Sequence, residues 1–171
     1  CIRDRFYSHR LKKQPMVGNL VSAILTVTPF FAIFIYYKNF EQVVFAHALF
    51  LFLLVSMREL TKDLENIKGD LALGYRTVPV VHGERVSKAM LTVFAFLTMV
   101  AAIVIILFFD IGYMNYFFYF SIILLLAFLV ILWKSNSKTH YLLLHNMLKF
   151  IIVLGVFSIL LIDISVVLNR I

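Results

Sequence analysis

The stretch RELTKDLENIKGD, residues 58–70, sets four acids and three bases within a chain that is 63% hydrophobic. Its meaning depends on the ground around it. Only 15% of the 171 residues are charged and mean hydropathy is +0.97. Together with apolar runs that approach or exceed spanning length, this defines an integral membrane protein. The runs at residues 17–37, 43–57, 89–109, 117–133 and 147–168 predict five membrane helices, because about 20 residues rising about 1.5 Å each cross a hydrocarbon core of about 30 Å. The second run is short and is completed by polar residues at its end, so Arg58 and Glu59 are expected near the membrane surface. The fold class is all-α, a polytopic transmembrane helix bundle forming a single transmembrane domain over residues 1–171.

The bases fix the expected orientation. Arg3, Arg5, Arg10, Lys12 and Lys13 precede the first run, Arg58, Lys62, Lys68, Arg76, Arg85 and Lys88 follow the second, and Lys134, Lys138 and Lys149 flank the fourth-to-fifth connection. Fourteen of the 16 Lys and Arg thus fall on one side, leaving Lys38 and Arg170 on the other, and the base-rich side is expected to be cytoplasmic. The net charge of +7 reflects this topology, and a nucleic-acid partner, which needs a soluble basic face, is not expected. A lipidated Cys1 would place the basic N-terminal segment outside the cell, against the same rule. The chain lacks an initiator methionine and a signal-peptide pattern, and it is expected to be part of a longer protein.

Leaving the second run, nothing from Arg58 to Ile67 forbids helix, and the helix is expected to continue. On it Glu59, Asp63, Asn66 and Asp70 fall at i, i+4, i+7 and i+11 on one face, with Leu60, Leu64, Ile67 and Leu71 on the neighbouring face. Three carboxylates and an amide in one stripe suit a hard divalent cation such as Mg2+, which takes oxygen ligands and shares its shell with substrate phosphates. Arg58 and Lys62 flank the stripe as phosphate partners. The competing reading is a solvated face with ordinary i, i+3 pairs, Glu59 with Lys62 and Glu65 with Lys68. Gly74, Pro79 and Gly83 punctuate the following GYRTVPVVHG and predict a structured loop carrying Arg76.

The pattern Arg58-Glu59-x-x-Lys62-Asp63-x-Glu65-Asn66-x-x-Gly69-Asp70, then Arg76-Thr77-x-Pro79, resembles the second aspartate-rich motif of the UbiA superfamily of intramembrane prenyltransferases. YSHRLKK, Tyr7 to Lys13, resembles the Tyr-Ser-x-x-Leu-Lys-Arg segment just ahead of the fifth helix in that family. Residues 17–171 would then correspond to helices five to nine of a nine-helix fold. Two departures stand out: Asn66 occupies a position where many members carry a further aspartate, and the first aspartate-rich motif is absent from these residues.

The resemblance implies transfer of a prenyl group from a polyprenyl diphosphate, with Mg2+ between the acidic motifs and the diphosphate. Carried over residue by residue, it makes Asp63 the catalytic candidate and Glu59, Asp63 and Asp70 the metal ligands. Lys12, Lys13, Arg58, Lys62, Asn66 and Arg76 would hold the diphosphate, with Tyr7 as a weaker candidate. The Arg-Glu-x-x-Lys-Asp form is most similar to the geranylgeranylglycerol-phosphate geranylgeranyltransferase branch, which implies geranylgeranyl diphosphate as donor and a lipid acceptor. An aromatic acceptor, as in quinone biosynthesis, is the alternative within the family. The implied location is a bacterial or archaeal cell membrane, with the acidic motif on the cytoplasmic side.

The other polar residues invite plainer readings. His47, Asp110 and Asp163 are expected near the outer interface rather than in a proton relay. His140 and His145, five apart near a predicted cytoplasmic turn, lack the i, i+4 spacing of two metal ligands on one helix face. A transporter would place ionisable or broken-helix positions near the midplane of several spans, whereas this chain gathers acids at one surface. A non-catalytic membrane assembly subunit is the other class compatible with five helices and a basic face.

Overall fold

The computed structural model describes residues 17–36, 41–109, 111–135 and 137–158. Helix α1 spans Val17–Tyr36, α2 Gln42–Glu65, α3 Ile67–Ala72, α4 Val78–Phe108, α5 Asn115–Lys134 and α6 Lys138–Ser158, and a 3-10 turn at Gly112–Met114 leads into α5. No strand occurs among the described residues. The predicted Tyr7, Lys12 and Lys13 sites lie outside the described residues, as do Asp110 and Asp163.

These segments are helical because in hydrocarbon each backbone amide and carbonyl must be satisfied within its own segment. Helices α2, α4, α5 and α6 are long and apolar enough to cross a membrane; the five predicted spans fall on α1, α2, α4, α5 and α6 in order, but among the described residues α1 contributes only a shorter apolar stretch, Gly18–Pro29. Helix α2 is central: it packs most extensively on α4, then on α6 and α1. Its buried Leu54, Met57, Leu60 and Leu64 meet Leu91 and Ala95 of α4 and Leu144 and Leu148 of α6 in one continuous core. Fully buried Ala95 and Ala102 leave room for close helix approach, since small side chains bring backbones together where no hydrophobic force drives helices against each other. The outward faces carry exposed Val93, Phe96, Val100 and Leu107 on α4, as lipid contact requires.

Helix boundaries depart from the apolar runs at the base-rich end. Helix α4 begins at Val78 rather than near residue 89, with Pro79 in its first turn, where a missing amide hydrogen is harmless. Pro79 therefore starts a helix instead of punctuating a loop. Helix α6 likewise begins at Lys138 rather than near 147, which puts both His140 and His145 on the helix. Apolar runs locate the lipid-immersed part of a helix, whereas amphipathic or polar turns extend it beyond.

A buried lysine ties these extended ends together. Lys88 is 7% exposed; its Nζ donates to the Ser135 carbonyl, pairs with Glu84 at 3.2 Å and lies 5.6 Å from the centroid of the Tyr141 ring. The Tyr141 hydroxyl donates to Glu84 Oε1. Ser135 caps the C-terminus of α5, so the ammonium both satisfies a terminal carbonyl and faces the negative end of the helix dipole. One charge thereby joins α4, the end of α5 and the start of α6.

Gly83 interrupts α4 with φ 84° and ψ 168°, a region reserved almost wholly for glycine. An added Cβ there meets nothing within 4 Å, so Gly83→Ala incurs backbone strain alone and is expected to destabilise by about 2 kcal/mol. Gly69, on α3 with equally open space, is the control: Gly69→Ala should be neutral or slightly stabilising. Unfolding midpoints of the two variants in detergent, measured against wild type, check the contrast. Lys88→Ala should cost about 2 kcal/mol in the same assay, because it removes a charge-assisted bond from a buried carbonyl.

Candidate functional site

The last two turns of α2 carry most of the predicted site. Glu59, with its side chain 13% exposed, receives Arg58 Nη1 at 3.1 Å and Lys62 Nζ at 3.6 Å, so both predicted phosphate partners converge on one carboxylate. The Glu59–Lys62 pair of the solvated-face reading is thus formed, and Arg58 joins it. One turn further, the half-buried Asp63 accepts a hydrogen bond at its Oδ2 from the Asn19 side-chain amide of α1 at 2.7 Å. Asp63 is within electrostatic reach of Asp70, Glu59 and Lys62.

The predicted stripe does not run along a single helix. Helix α2 stops at Glu65, with Asn66 at φ −107° and ψ 18° as its cap, and α3 resumes at Ile67. The Asn66 side-chain amide donates to the Lys62 carbonyl at 3.2 Å, a local side-chain-to-backbone bond of the kind that competes with helix continuation. Asp70 consequently sits on a separate short helix, where its amide donates to the Asn66 carbonyl at 2.9 Å. The apolar face ends early for the same reason: Leu60 and Leu64 are buried, Ile67 packs against the core, but Leu71 is 67% exposed. Arg76 is exposed in the connection between α3 and α4 and forms no ion pair among the described residues.

Sequence reasoning passed over three residues that the packing brings here. Asn19 is one. Ser56, a turn before the motif, is buried and returns its hydroxyl to the Phe52 carbonyl at 2.8 Å. His145 is the third: it is 6% exposed on α6, its Nδ1 has no hydrogen-bond partner, and the charges of Arg58, Glu59, Glu65 and Lys149 all reach it. The spacing from His140 said nothing of this role, because His140 is exposed and bonded to Ser137. The usable signal for Asn19 was a lone amide in an apolar span, since such groups are placed where another helix can satisfy them.

Beside the charged cluster lies a cavity of about 120 Å³ walled by Asn19 and Leu20 of α1, Ser56 and Leu60 of α2, and Val78, Met90 and Phe94 of α4. Its walls are almost wholly apolar, and the Asn19 amide links it directly to Asp63. A charged patch at the end of α2 thus adjoins a hydrocarbon-lined space, an arrangement suited to an amphiphile with an anionic head.

Among the described residues no three His, Cys, Asp or Glu side chains converge on one point as a metal cage. The donor set still fits Mg2+, which binds through one or two carboxylates and completes its shell with water and substrate phosphates rather than in an all-protein cage. Of the three predicted ligands, Glu59 is engaged by two bases, whereas Asp63, whose Oδ1 has no hydrogen-bond partner among the described residues, and Asp70 have no ion-pair partner there.

The sequence profile of the UbiA prenyltransferase family matches residues 5–141. Relatives include digeranylgeranylglyceryl phosphate synthase of Pyrococcus furiosus, 37% identical over 99 residues, which cover 56% of this chain and 34% of the relative. The protein of the same name from Methanopyrus kandleri is 39% identical over 94 residues, 52% of this chain and 32% of the relative. That from Thermococcus kodakarensis is 32% identical over 137 residues, 78% of this chain and 48% of the relative. The chain therefore spans about a third to a half of the length of these relatives. No solved structure gave a significant match. Because that profile covers most of the chain, including the motif from Arg58 to Asp70, the chain belongs to the UbiA prenyltransferase family.

Proposed function

We propose that this chain forms part of an enzyme that transfers a prenyl group, geranylgeranyl by analogy with the names of its relatives, from its diphosphate to a glycerophosphate lipid. The observation that carries the reading is the charged end of α2 lying against an apolar cavity between α1, α2 and α4. Such a site accommodates a substrate with a diphosphate at one end and a hydrocarbon at the other. The relatives favour a lipid phosphate over an aromatic acceptor, because each is named for a digeranylgeranylglyceryl phosphate product.

Transfer breaks the bond between the allylic carbon and the diphosphate oxygen, forms a bond from that carbon to the acceptor oxygen, and releases the acceptor proton. The leaving group gains negative charge as the bond opens, and preplaced cations stabilise that charge most where water is excluded. Arg58 and Lys62, held on Glu59 in the resting geometry, are positioned to exchange that carboxylate for phosphate oxygens. Lys12, Lys13 and Arg76 are further cationic candidates, with Asn66 as an amide donor and Tyr7 as a weaker contact. Glu59, Asp63 and Asp70 would hold Mg2+, which when bound supplies Lewis-acid stabilisation of the diphosphate. A carboxylate of this cluster, with Asp63 foremost, is the proposed acceptor of the released proton. The walls of the cavity shield the developing carbocation from water. The base-rich face is cytoplasmic in this reading.

The test is prenyl transfer in membranes carrying the complete reading frame, using radiolabelled geranylgeranyl diphosphate with lipid phosphate and aromatic acceptors. Asp63→Ala is expected to lower turnover by about 100-fold or more, the scale of removing a group that stabilises transition-state charge. Chelating Mg2+ should have a comparable effect. Absence of product with every acceptor from correctly inserted wild-type protein would overturn the transferase reading in favour of an assembly role.

A further inference from the structure

The bond between Asn19 and Asp63 is the only hydrogen bond between side chains of α1 and α2 among the described residues. It joins positions 44 residues apart, so no local preference produces it. Asn19, Ala23 and Val27 recur at i, i+4 and i+8 on α1, and Ala23 and Val27 are buried at 0% and 2% exposure. Helix α1 packs on α2, so the buried stripe sets the rotation of α1 and thereby aims the Asn19 amide at the acid. A helix turned by one residue, about 100°, would lose both the packing and the bond.

The chemical character of the partner matters. A lysine or arginine at this position would cancel the charge of Asp63, whereas an amide donates a charge-assisted bond and leaves the carboxylate negative. Engaging Oδ2 also fixes the carboxylate plane, which leaves Oδ1 as the oxygen free to meet a ligand. The same Asn19 lines the apolar cavity, so the group that orients the acid also borders the space assigned above to the hydrocarbon part of the substrate.

We propose that Asn19 is a positioning residue, acting through Asp63: its amide locks the carboxylate rotamer and keeps it aligned with the cavity mouth. The inference rests on the transferase reading for the identity of the reaction, but not for the geometry.

The experiment uses the complete protein and compares Asn19→Leu, Asn19→Asp and Asn19→Ser with wild type. Leu20→Ala, a change in the same cavity wall without a bond to Asp63, is the control. For Asn19→Leu and Asn19→Asp, kcat is expected to fall about tenfold or more, the scale of a lost hydrogen bond to a charged group. The KM for the prenyl diphosphate should stay within about threefold and the unfolding midpoint near that of wild type. Asn19→Ser retains a shorter donor and should recover part of kcat, while Leu20→Ala should move KM without the kcat loss. Unchanged kcat in both donor-less variants, or a kcat loss that Asn19→Ser shares in full and that tracks the unfolding midpoint, would overturn the proposal. If Asn19→Leu does not fold, Asn19→Asp, which keeps the side-chain shape, decides. If wild type forms no prenylated product, the transferase reading fails on its own. The Mg2+ concentration needed for inorganic pyrophosphate to bind, measured calorimetrically, then tests the positioning: a higher requirement in Asn19→Leu that Asn19→Ser partly restores supports it, and no binding by wild type or an equal requirement in the variants overturns it.

Discussion

Hydrocarbon cannot hydrogen-bond a peptide group, and that constraint shapes everything else in this molecule. It makes the spanning segments helical and confines the acids to the helix ends. Most polar side chains that remain among apolar neighbours find a partner on their own helix or an adjacent one. Thr61, Ser121 and Thr98 return their hydroxyls to carbonyls one turn earlier, whereas Lys88 and Asn19 reach across to other elements. The local bonds leave helix positions undetermined. The bonds of Lys88 and Asn19 do the opposite: they tie specific residues of different helices to each other.

Those two contacts lie at the base-rich end and divide the work there. Lys88 gathers α4, α5 and α6 around the Ser135 carbonyl and the Glu84–Tyr141 pair, which anchors the scaffold on one side of α2. Asn19 connects α1 to Asp63 on the other. Between α1 and α4 the apolar cavity opens beside the acids. A scaffold on one flank and one side-chain amide contact on the other make α1 the cavity wall tied to its neighbours by the fewest side-chain hydrogen bonds and ion pairs among the described residues.

Paired bases on Glu59 are an economical resting state for the phosphate site proposed above. An unpaired arginine near a membrane attracts anionic lipid headgroups, and holding Arg58 and Lys62 on a carboxylate keeps them oriented with modest strength, since partly exposed pairs contribute little net stability. A diphosphate, carrying more charge than one carboxylate, can outcompete such a pair. His145, buried beside these charges with Nδ1 unpartnered, adds a polar group to the α6 side of the cluster.

Much of this was legible in the sequence. Apolar runs located the spanning helices, and the motif from Arg58 to Asp70 with Arg76-Thr77-x-Pro79 identified the family, because chemistry at a charged surface of an apolar protein leaves a local imprint. Helical continuation past Arg58 was equally readable, since nothing there breaks a helix before Asn66. What the sequence alone could not determine was where that helix ends, because Asn66 suits a helix and a cap alike and only its bond to the Lys62 carbonyl decides between them. The extension of α4 back to Val78 and of α6 back to Lys138 was hidden for a related reason: polar turns carry no hydropathy signal, and their helicity is supported by tertiary contacts such as those of Lys88. Asn19, marked in the sequence only as a lone amide in an apolar span, and His145 could not be assigned to the site because their places arise from contacts between helices distant in sequence. Local pattern reports what each segment is, while the rotation and register of packed helices decide which side chains meet.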